Sequence, residues 1–175
     1  MYNPNPNLIE QYRSLHNDGK FKGLSILKHV YEISDLVRET NSLTLLDYGC
    51  GRGNQYTDAD CHKYWGGILP TLYDPAVPGH SQRPVGRFDG VICTDVAEHI
   101  PEEEIEDFLK DVFNYAGKFV FITICTREAR KTLPDGRNAH LTVRPREWWK
   151  SKIESISKMD ECGVGPRICI SWNDT

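Results

Sequence analysis

Five short stretches of the chain consist mainly of consecutive apolar residues. This is the pattern of strands that are buried on both faces of a sheet. The predicted strands are Leu43–Leu46, Ile68–Tyr73, Phe88–Cys93, Lys118–Cys125 and Arg167–Trp172. Helices are predicted between them, over residues 23–40, Pro101–Phe113 and Arg146–Ser157. Strands that alternate with helices predict an α/β fold with a doubly wound, mostly parallel sheet, and ligands of such sheets bind beyond the carboxyl ends of the strands.

Length and composition narrow the class of protein. A chain of 175 residues predicts one domain, and 39% apolar residues are enough for a core. A net charge of −4 is not the overall charge of a protein that coats nucleic acid. No apolar run approaches the ~20 residues of a membrane span, and the first residues do not resemble a signal peptide, so a cytoplasmic protein without membrane contact is predicted.

The chain is predicted to consist of an N-terminal arm or lid and one catalytic domain. Residues 1–22 form the arm or lid, and residues 23–175 form the domain. The first seven residues, rich in Asn and Pro, are predicted to be loose. The six cysteines include no CxxC pair, which favours reduced thiols over zinc ribbons, and Cys93 and Cys125 are predicted to be buried as small apolar residues.

A glycine-rich loop follows the first predicted strand, in the sequence Asp47-Tyr-Gly-Cys-Gly-Arg-Gly53. The loop lacks the Lys-Ser/Thr of a phosphate-binding loop, and its acid would repel a pyrophosphate. Asp74 ends the second predicted strand, where an acid can accept both hydroxyls of a ribose. Acids that suit a cation and a ribose favour S-adenosylmethionine over a nicotinamide cofactor. A surface loop and a nicotinamide oxidoreductase are the alternatives.

Three segments together resemble class I S-adenosylmethionine-dependent methyltransferases, which have a Rossmann-like fold. Leu45–Gly53 resembles the first motif of that family, and Leu72–Asp74 resembles its second. Phe88–Pro101 resembles the family's fourth strand and the segment that follows it. Only 13 residues separate Asp74 from Phe88, so the family's third strand is predicted to be short or missing. The family's acid that contacts adenine has no clear counterpart.

The resemblance implies S-adenosylmethionine as the cofactor. Asp47, Gly49 and Gly51 would line its methionine end, and Asp74 would bind the ribose. The full set of cofactor-binding positions that the resemblance implies is Asp47, Tyr48, Gly49, Cys50, Gly51, Asp74, Pro75, Thr94, Asp95 and Val96.

A second cluster of polar residues, Asp95-Val-Ala-Glu98-His99, follows the third predicted strand. If this segment turns into helix, its acids and imidazole share one face, and His140 is a candidate fourth group. Such a set can bind a divalent metal. It resembles the metal site of small-RNA 2′-O-methyltransferases, whose first position is Glu rather than Asp. Two alternatives stay open: general acid–base catalysis by Glu98, His99 and His140, or a structural role.

The acceptor of a methyl group is less constrained by the sequence. From residue 88 to 117 there are nine acids and one base, whereas residues 118–152 carry nine bases and three acids. The basic segment predicts a small, anionic acceptor, a nucleotide or an RNA end. The substrate-binding candidates are Arg127, Arg137, Asn138 and Trp148. A solvated basic loop is the alternative.

Three functions therefore remain. The first is O-methylation, or N-methylation, of a small acceptor. The second is metal-dependent ribose 2′-O-methylation of RNA, and the third is a non-catalytic module that binds S-adenosylmethionine. A missing third strand would also expose a sheet edge, which favours a homodimer.

Overall fold

The structure, a computed structural model, describes residues 2–21, 23–157 and 165–173. Its centre is a sheet of five strands in the order β2-β1-β3-β4-β5, and all neighbouring strands pair in parallel. The strands are β1 (Leu45–Tyr48), β2 (Thr71–Tyr73), β3 (Phe88–Thr94), β4 (Ala116–Ile124) and β5 (Arg167–Trp172). The predicted α/β class is confirmed, and the sheet is consistent with a Rossmann-like arrangement.

Five α-helices accompany the sheet within the described residues. They are α1 (Pro6–Asn17), α2 (Val30–Glu39), α3 (Asn54–Thr57), α4 (Ile105–Tyr115) and α5 (Arg146–Ser157). The predicted bounds of α5 are confirmed. The helix predicted over residues 23–40 is shorter than expected, because Ser25–His29 forms a 3-10 turn before α2 begins.

Both faces of the sheet are buried, which explains why its strands are continuously apolar. Val91 and Val120 point to one face, where α4 and α5 pack, whereas Ile92 and Phe121 point to the other, where α2 packs. All four side chains are at most 1% exposed. The alternation of side chains along each strand therefore supplies two separate cores, and the sheet is fixed between them.

The connection between β2 and β3 is short. Residues 74–87 are all described, and they contain a 3-10 turn at Pro78–His80 but no strand. The prediction of a missing third strand is confirmed. As a result β2, with three residues, lies at the edge of the sheet. Whether a second copy of the chain pairs there remains a prediction.

The first residues are not loose, and that prediction was wrong. Tyr2 is only 6% exposed and its ring packs edge-on against Phe108 of α4. Its backbone N–H donates to Asp111, and its hydroxyl donates to Glu104 at 2.7 Å. The Asn5 side chain then caps α1 by accepting a hydrogen bond from the Asn7 N–H. The N-terminal segment is docked on the domain.

Replacing Tyr2 with phenylalanine tests this docking. The substitution removes one partly buried hydrogen bond, so we expect the free energy of unfolding in urea to fall by about 1 kcal/mol. Tyr31→Phe is the control, because Tyr31 is 72% exposed. Equal stabilities of the two variants would contradict a docked N terminus.

Five cysteines lie within the described residues, and no disulfide joins any two of them, as predicted. Cys162 lies outside those residues. None of the described helices has the length and apolar character needed to cross a membrane.

Candidate functional site

A cavity of about 690 Å³ lies beyond the carboxyl ends of the five strands. Tyr48 and Thr94 end β1 and β3 at its wall, and Asp74, Cys125 and Asn173 follow β2, β4 and β5 there. Its volume is within the range of about 300–1,000 Å³ of small-molecule sites. Of the cofactor-binding positions predicted from the sequence, nine line this cavity: Tyr48, Gly49, Cys50, Gly51, Asp74, Pro75, Thr94, Asp95 and Val96.

The glycine-rich loop turns sharply because its glycines have positive φ. Gly49 has φ +86° and Gly51 has φ +58°, in the left-handed region that other residues rarely adopt. A Cβ on Gly49 would lie 2.3 Å from Cγ2 of Val96, which follows the neighbouring strand. The N–H groups of Gly49 and Cys50 both donate to the carbonyl of Tyr73, at 2.7 and 3.2 Å. The loop is therefore pressed between β2 and the segment after β3.

Asp74 joins this loop to the end of β2. One carboxylate oxygen accepts a hydrogen bond from the Gly51 N–H and the other from the Ala76 N–H, both at 2.9 Å. Nε2 of His16 on α1 lies 3.9 Å from the first of these oxygens. A carboxylate offers about four acceptor positions, so each oxygen can accept a further bond from a ligand in the cavity.

Asp47 does not line the cavity and lies beneath it. One oxygen accepts hydrogen bonds from the Tyr56 hydroxyl at 2.8 Å and from the Gln55 amide at 2.9 Å. The other oxygen, Oδ1, is buried and accepts no hydrogen bond. Burial raises the pKa of Asp47 to about 6, although the hydrogen bonds from Tyr56 and Gln55 oppose the shift. The structure therefore gives Asp47 a place behind the loop, not at the wall predicted for it.

Asp95 also differs from its predicted role as a metal ligand. It has φ +55°, and its carboxylate accepts hydrogen bonds from the Thr123 hydroxyl at 2.7 Å and from the Asn173 amide at 2.5 Å. These bonds tie the end of β3 to β4 and to the residue that follows β5. The side chain lines the cavity but does not join the nearest group of candidate metal ligands.

That group consists of Glu98, Cys125 and His140, each with a ligand atom within 4.8 Å of the others. The structure thus brings together two of the four predicted ligands, Glu98 and His140, and adds a cysteine. Sequence reasoning missed Cys125 because it ends an apolar run. Cys125 could have been found from its position directly after β4, because side chains at that position face the cavity.

The two histidines of the site lie side by side, with ring centroids 4.9 Å apart. Nδ1 of His99 bonds to the carbonyl of Ala139, and Nδ1 of His140 bonds to that of Arg127, both at 2.6 Å. A carbonyl only accepts, so each Nδ1 carries a proton and each neutral ring has its lone pair on Nε2. Burial and the neighbouring His140 lower the pKa of His99 to about 4, and burial also lowers the pKa of His140.

The structure places one of the four predicted substrate residues, Arg127, at the cavity. Arg137 instead forms an exposed ion pair with Asp135 at 2.8 Å. Asn138 holds its own loop by bonding both backbone polar groups of Ala129. Trp148 packs edge-on against Trp149, on α5, away from the cavity. The side chains of these three residues therefore lie outside the site.

The N-terminal segment forms one wall of the cavity. The hydroxyl of Tyr12 on α1 lies 2.9 Å from the carbonyl oxygen of His99 and 2.8 Å from that of Ala139, and its single proton is shared between them. Phe21 packs edge-on against His99 and lies under the ammonium of Lys131, 4.3 Å from its ring centroid. The predicted lid therefore has a position over the site, although its opening remains a prediction. Cationic side chains also line the cavity: Lys20, Lys28, Arg127, Arg130 and Lys131.

Comparisons of the chain with protein-family models, with curated proteins and with solved structures found no match in any of the three.

Proposed function

We propose that the protein is an S-adenosylmethionine-dependent methyltransferase that acts on a small, anionic acceptor, most readily at an oxygen. One observation carries the proposal. Nine of the ten positions that the sequence resemblance implies for cofactor binding line a single cavity at the carboxyl edge of a parallel sheet.

The residues of the cavity fit the proposed cofactor. Asp74 retains acceptor positions for ribose hydroxyls, because each of its oxygens accepts only one backbone hydrogen bond. Gly49 and Gly51 have no side chains, so a methionine moiety can approach their backbone closely. The acids Asp74 and Asp95 line the same cavity and suit a sulfonium and an ammonium group.

The proposed reaction does not require the protein to form or break a covalent bond of its own. The bound cofactor would supply an activated methyl group, and the residues of the site would orient the acceptor and exclude water. An oxygen acceptor must also lose a proton. The imidazoles of His99 and His140 line the cavity and carry lone pairs on Nε2. They are the groups we assign to that step, next to the carboxylate of Glu98.

The cationic side chains support the choice of an anionic acceptor. Arg127, Arg130 and Lys131 come from the segment after β4, and Lys20 and Lys28 come from the N-terminal side of the same cavity. Arginine and lysine side chains that line the same cavity suit a carboxylate or phosphate group. This arrangement also keeps a nucleotide or RNA end as the second candidate acceptor, although the metal ligands expected for the RNA enzymes do not all meet.

Titration calorimetry with S-adenosylmethionine, S-adenosylhomocysteine and NAD tests the proposal. We expect the first two ligands to bind and NAD not to bind. Binding of NAD alone would favour the oxidoreductase. If S-adenosylmethionine binds but a screen of carboxylate, phosphate and RNA acceptors yields no methylated product, the non-catalytic module is favoured instead.

Asp74→Asn is expected to weaken the binding of S-adenosylhomocysteine about tenfold, because an uncharged amide accepts ribose hydroxyls less strongly than a carboxylate. The same calorimetric measurement applies. Asp135→Asn is the control, since Asp135 is an exposed acid that does not line the cavity. Unchanged affinity in Asp74→Asn would contradict the assigned role of this residue.

A further inference from the structure

Three side chains with different donor atoms converge in the cavity. The carboxylate of Glu98, the thiol of Cys125 and the imidazole of His140 have ligand atoms within 4.8 Å of one another. Among the residues that the structure describes, no other group of three His, Cys, Asp or Glu side chains meets this distance. Glu98 is fully buried, and Cys125 is 6% exposed.

The three residues come from two segments, the turn after β3 and the connection between β4 and α5, and are held in place by hydrogen bonds. Glu98 lies in a 3-10 turn after β3, and its carboxylate accepts from the Cys125 N–H at 3.1 Å. The backbone of that turn is fixed as well, because the Glu98 carbonyl accepts from the Thr142 N–H at 3.0 Å. The Nδ1–H of His140 donates to the carbonyl of Arg127 at 2.6 Å. Partners of this kind orient the ligands of metal sites in proteins.

The donor set selects a particular class of cation. Magnesium and calcium take oxygen ligands, whereas a thiolate, an imidazole and a carboxylate suit Zn²⁺ or Co²⁺. We infer that Glu98, Cys125 and His140 form a binding site for a thiophilic divalent cation of this class. Three protein ligands leave one coordination position open toward the cavity, as in catalytic zinc sites.

This site differs from the one that the sequence resemblance implies. The resemblance puts Asp95 and His99 among the ligands of a divalent metal. In the structure the Asp95 carboxylate bonds to Thr123 and Asn173 and lies outside the group of converging ligand atoms, which contains a sulfur ligand instead. Ligand atoms around tetrahedral zinc are about 3.5 Å apart, so the atoms of the cluster, which lie within 4.8 Å of one another, must approach by at most about 1.3 Å on binding. His140 can supply this movement because it lies in the irregular segment between β4 and α5.

The site does not depend on the proposed methyl transfer. If that function holds, the open position lies where an acceptor oxygen could bind, and a cation there would lower the pKa of that oxygen. Binding itself must displace the Cys125 thiol proton into solvent as the sulfur–metal bond forms. We expect about one proton to be released per cation, measured from the dependence of the calorimetric enthalpy on the buffer.

Titration of the chelator-treated, reduced protein with Co²⁺ tests the site. We expect one equivalent to bind, with visible bands of a four-coordinate ion and a near-ultraviolet charge-transfer band from a thiolate. Zn²⁺ should displace Co²⁺, and excess Mg²⁺ should not. Absence of stoichiometric uptake, or uptake without the charge-transfer band, would overturn the inference.

Substitutions identify the ligands. Cys125→Ser should abolish the charge-transfer band, whereas the control Cys169→Ser should retain it, because Cys169 lies in β5 and outside the cavity. Glu98→Gln, which keeps an oxygen for the Cys125 N–H, and His140→Ala should each weaken Co²⁺ binding at least tenfold. Circular dichroism verifies that each variant is folded. A full band in Cys125→Ser would refute the site, and calorimetry of the metal-free protein with S-adenosylhomocysteine tests the proposed function separately.

Discussion

Replacing Gly49 with alanine is expected to lower the free energy of unfolding by about 3 kcal/mol and to abolish the binding of S-adenosylhomocysteine. Two costs combine. A side chain at φ +86° is strained by about 1–2 kcal/mol, and the added Cβ would lie 2.3 Å from Cγ2 of Val96, an overlap that costs about 1–3 kcal/mol. Urea denaturation and calorimetry measure the two effects.

Gly51→Ala is the matched control for this experiment. Gly51 also has positive φ, but the nearest neighbour of an added Cβ, Cε1 of His16, would be 3.5 Å away. We therefore expect a loss of only about 1–2 kcal/mol, from backbone strain alone. In the double variant Gly49→Ala/Val96→Ala, the free energy of unfolding should recover the part that Gly49→Ala loses through overlap with Val96. Equal losses for Gly49→Ala and Gly51→Ala would show that the approach of Val96 does not constrain the loop.

Replacing Asp47 with asparagine is expected to change how stability depends on pH. The pKa of Asp47 rises from 3.8 to about 6 on folding, so the folded protein holds this proton more tightly than the unfolded chain. The contribution of Asp47 to stability therefore falls as pH rises from about 4 to about 6. The loss is about 3 kcal/mol by pH 7, at 1.36 kcal/mol per pKa unit. Asp47→Asn cannot ionise and avoids this loss.

Urea denaturation of the natural chain and of Asp47→Asn at pH 4 and pH 7 measures the effect. We expect the stability of the variant, relative to the natural chain, to increase by about 3 kcal/mol between the two pH values. Asp58→Asn, an exposed acid at the end of α3, is the control and should show no comparable increase. A relative stability of Asp47→Asn that stays constant with pH would contradict a buried, ionised carboxylate.

The sheet could be predicted from the sequence because consecutive apolar residues identify strands that are buried on both faces. The predicted ends of the strands were less accurate than the strands themselves. Leu43 was assigned to the first strand, yet it is 77% exposed, and β1 begins at Leu45. The N–H groups of Leu43 and Thr44 both donate to the side chain of Asp89. These two residues therefore precede the hydrogen-bonded strand β1. Because Asp89 lies 45 residues from Thr44 in the sequence, the residues around Thr44 do not indicate where the strand begins.

The tight turn of the glycine-rich loop could also be predicted from the sequence. Its glycines are close together along the chain, so their spacing indicates the turn directly. The candidate metal ligands were predicted only in part, because Cys125 and His140 meet Glu98 through tertiary contacts. Trp148 illustrates the same limit on α5. Its neighbour Trp149 is fully buried, and which tryptophan faces the core depends on how the helix is rotated.

The docked N terminus has a consequence for the order in which the site can form. Tyr2 donates to Asp111, and Tyr12 donates to the carbonyl of Ala139, a separation of 127 residues. During synthesis, the wall made by α1 therefore cannot close until residues near 140 have left the ribosome. The cavity is therefore closed on this side only after those residues are available, and detachment of α1 is a route for reopening it. Hydrogen exchange in α1 should slow when a ligand occupies the cavity, and unchanged exchange would count against this route.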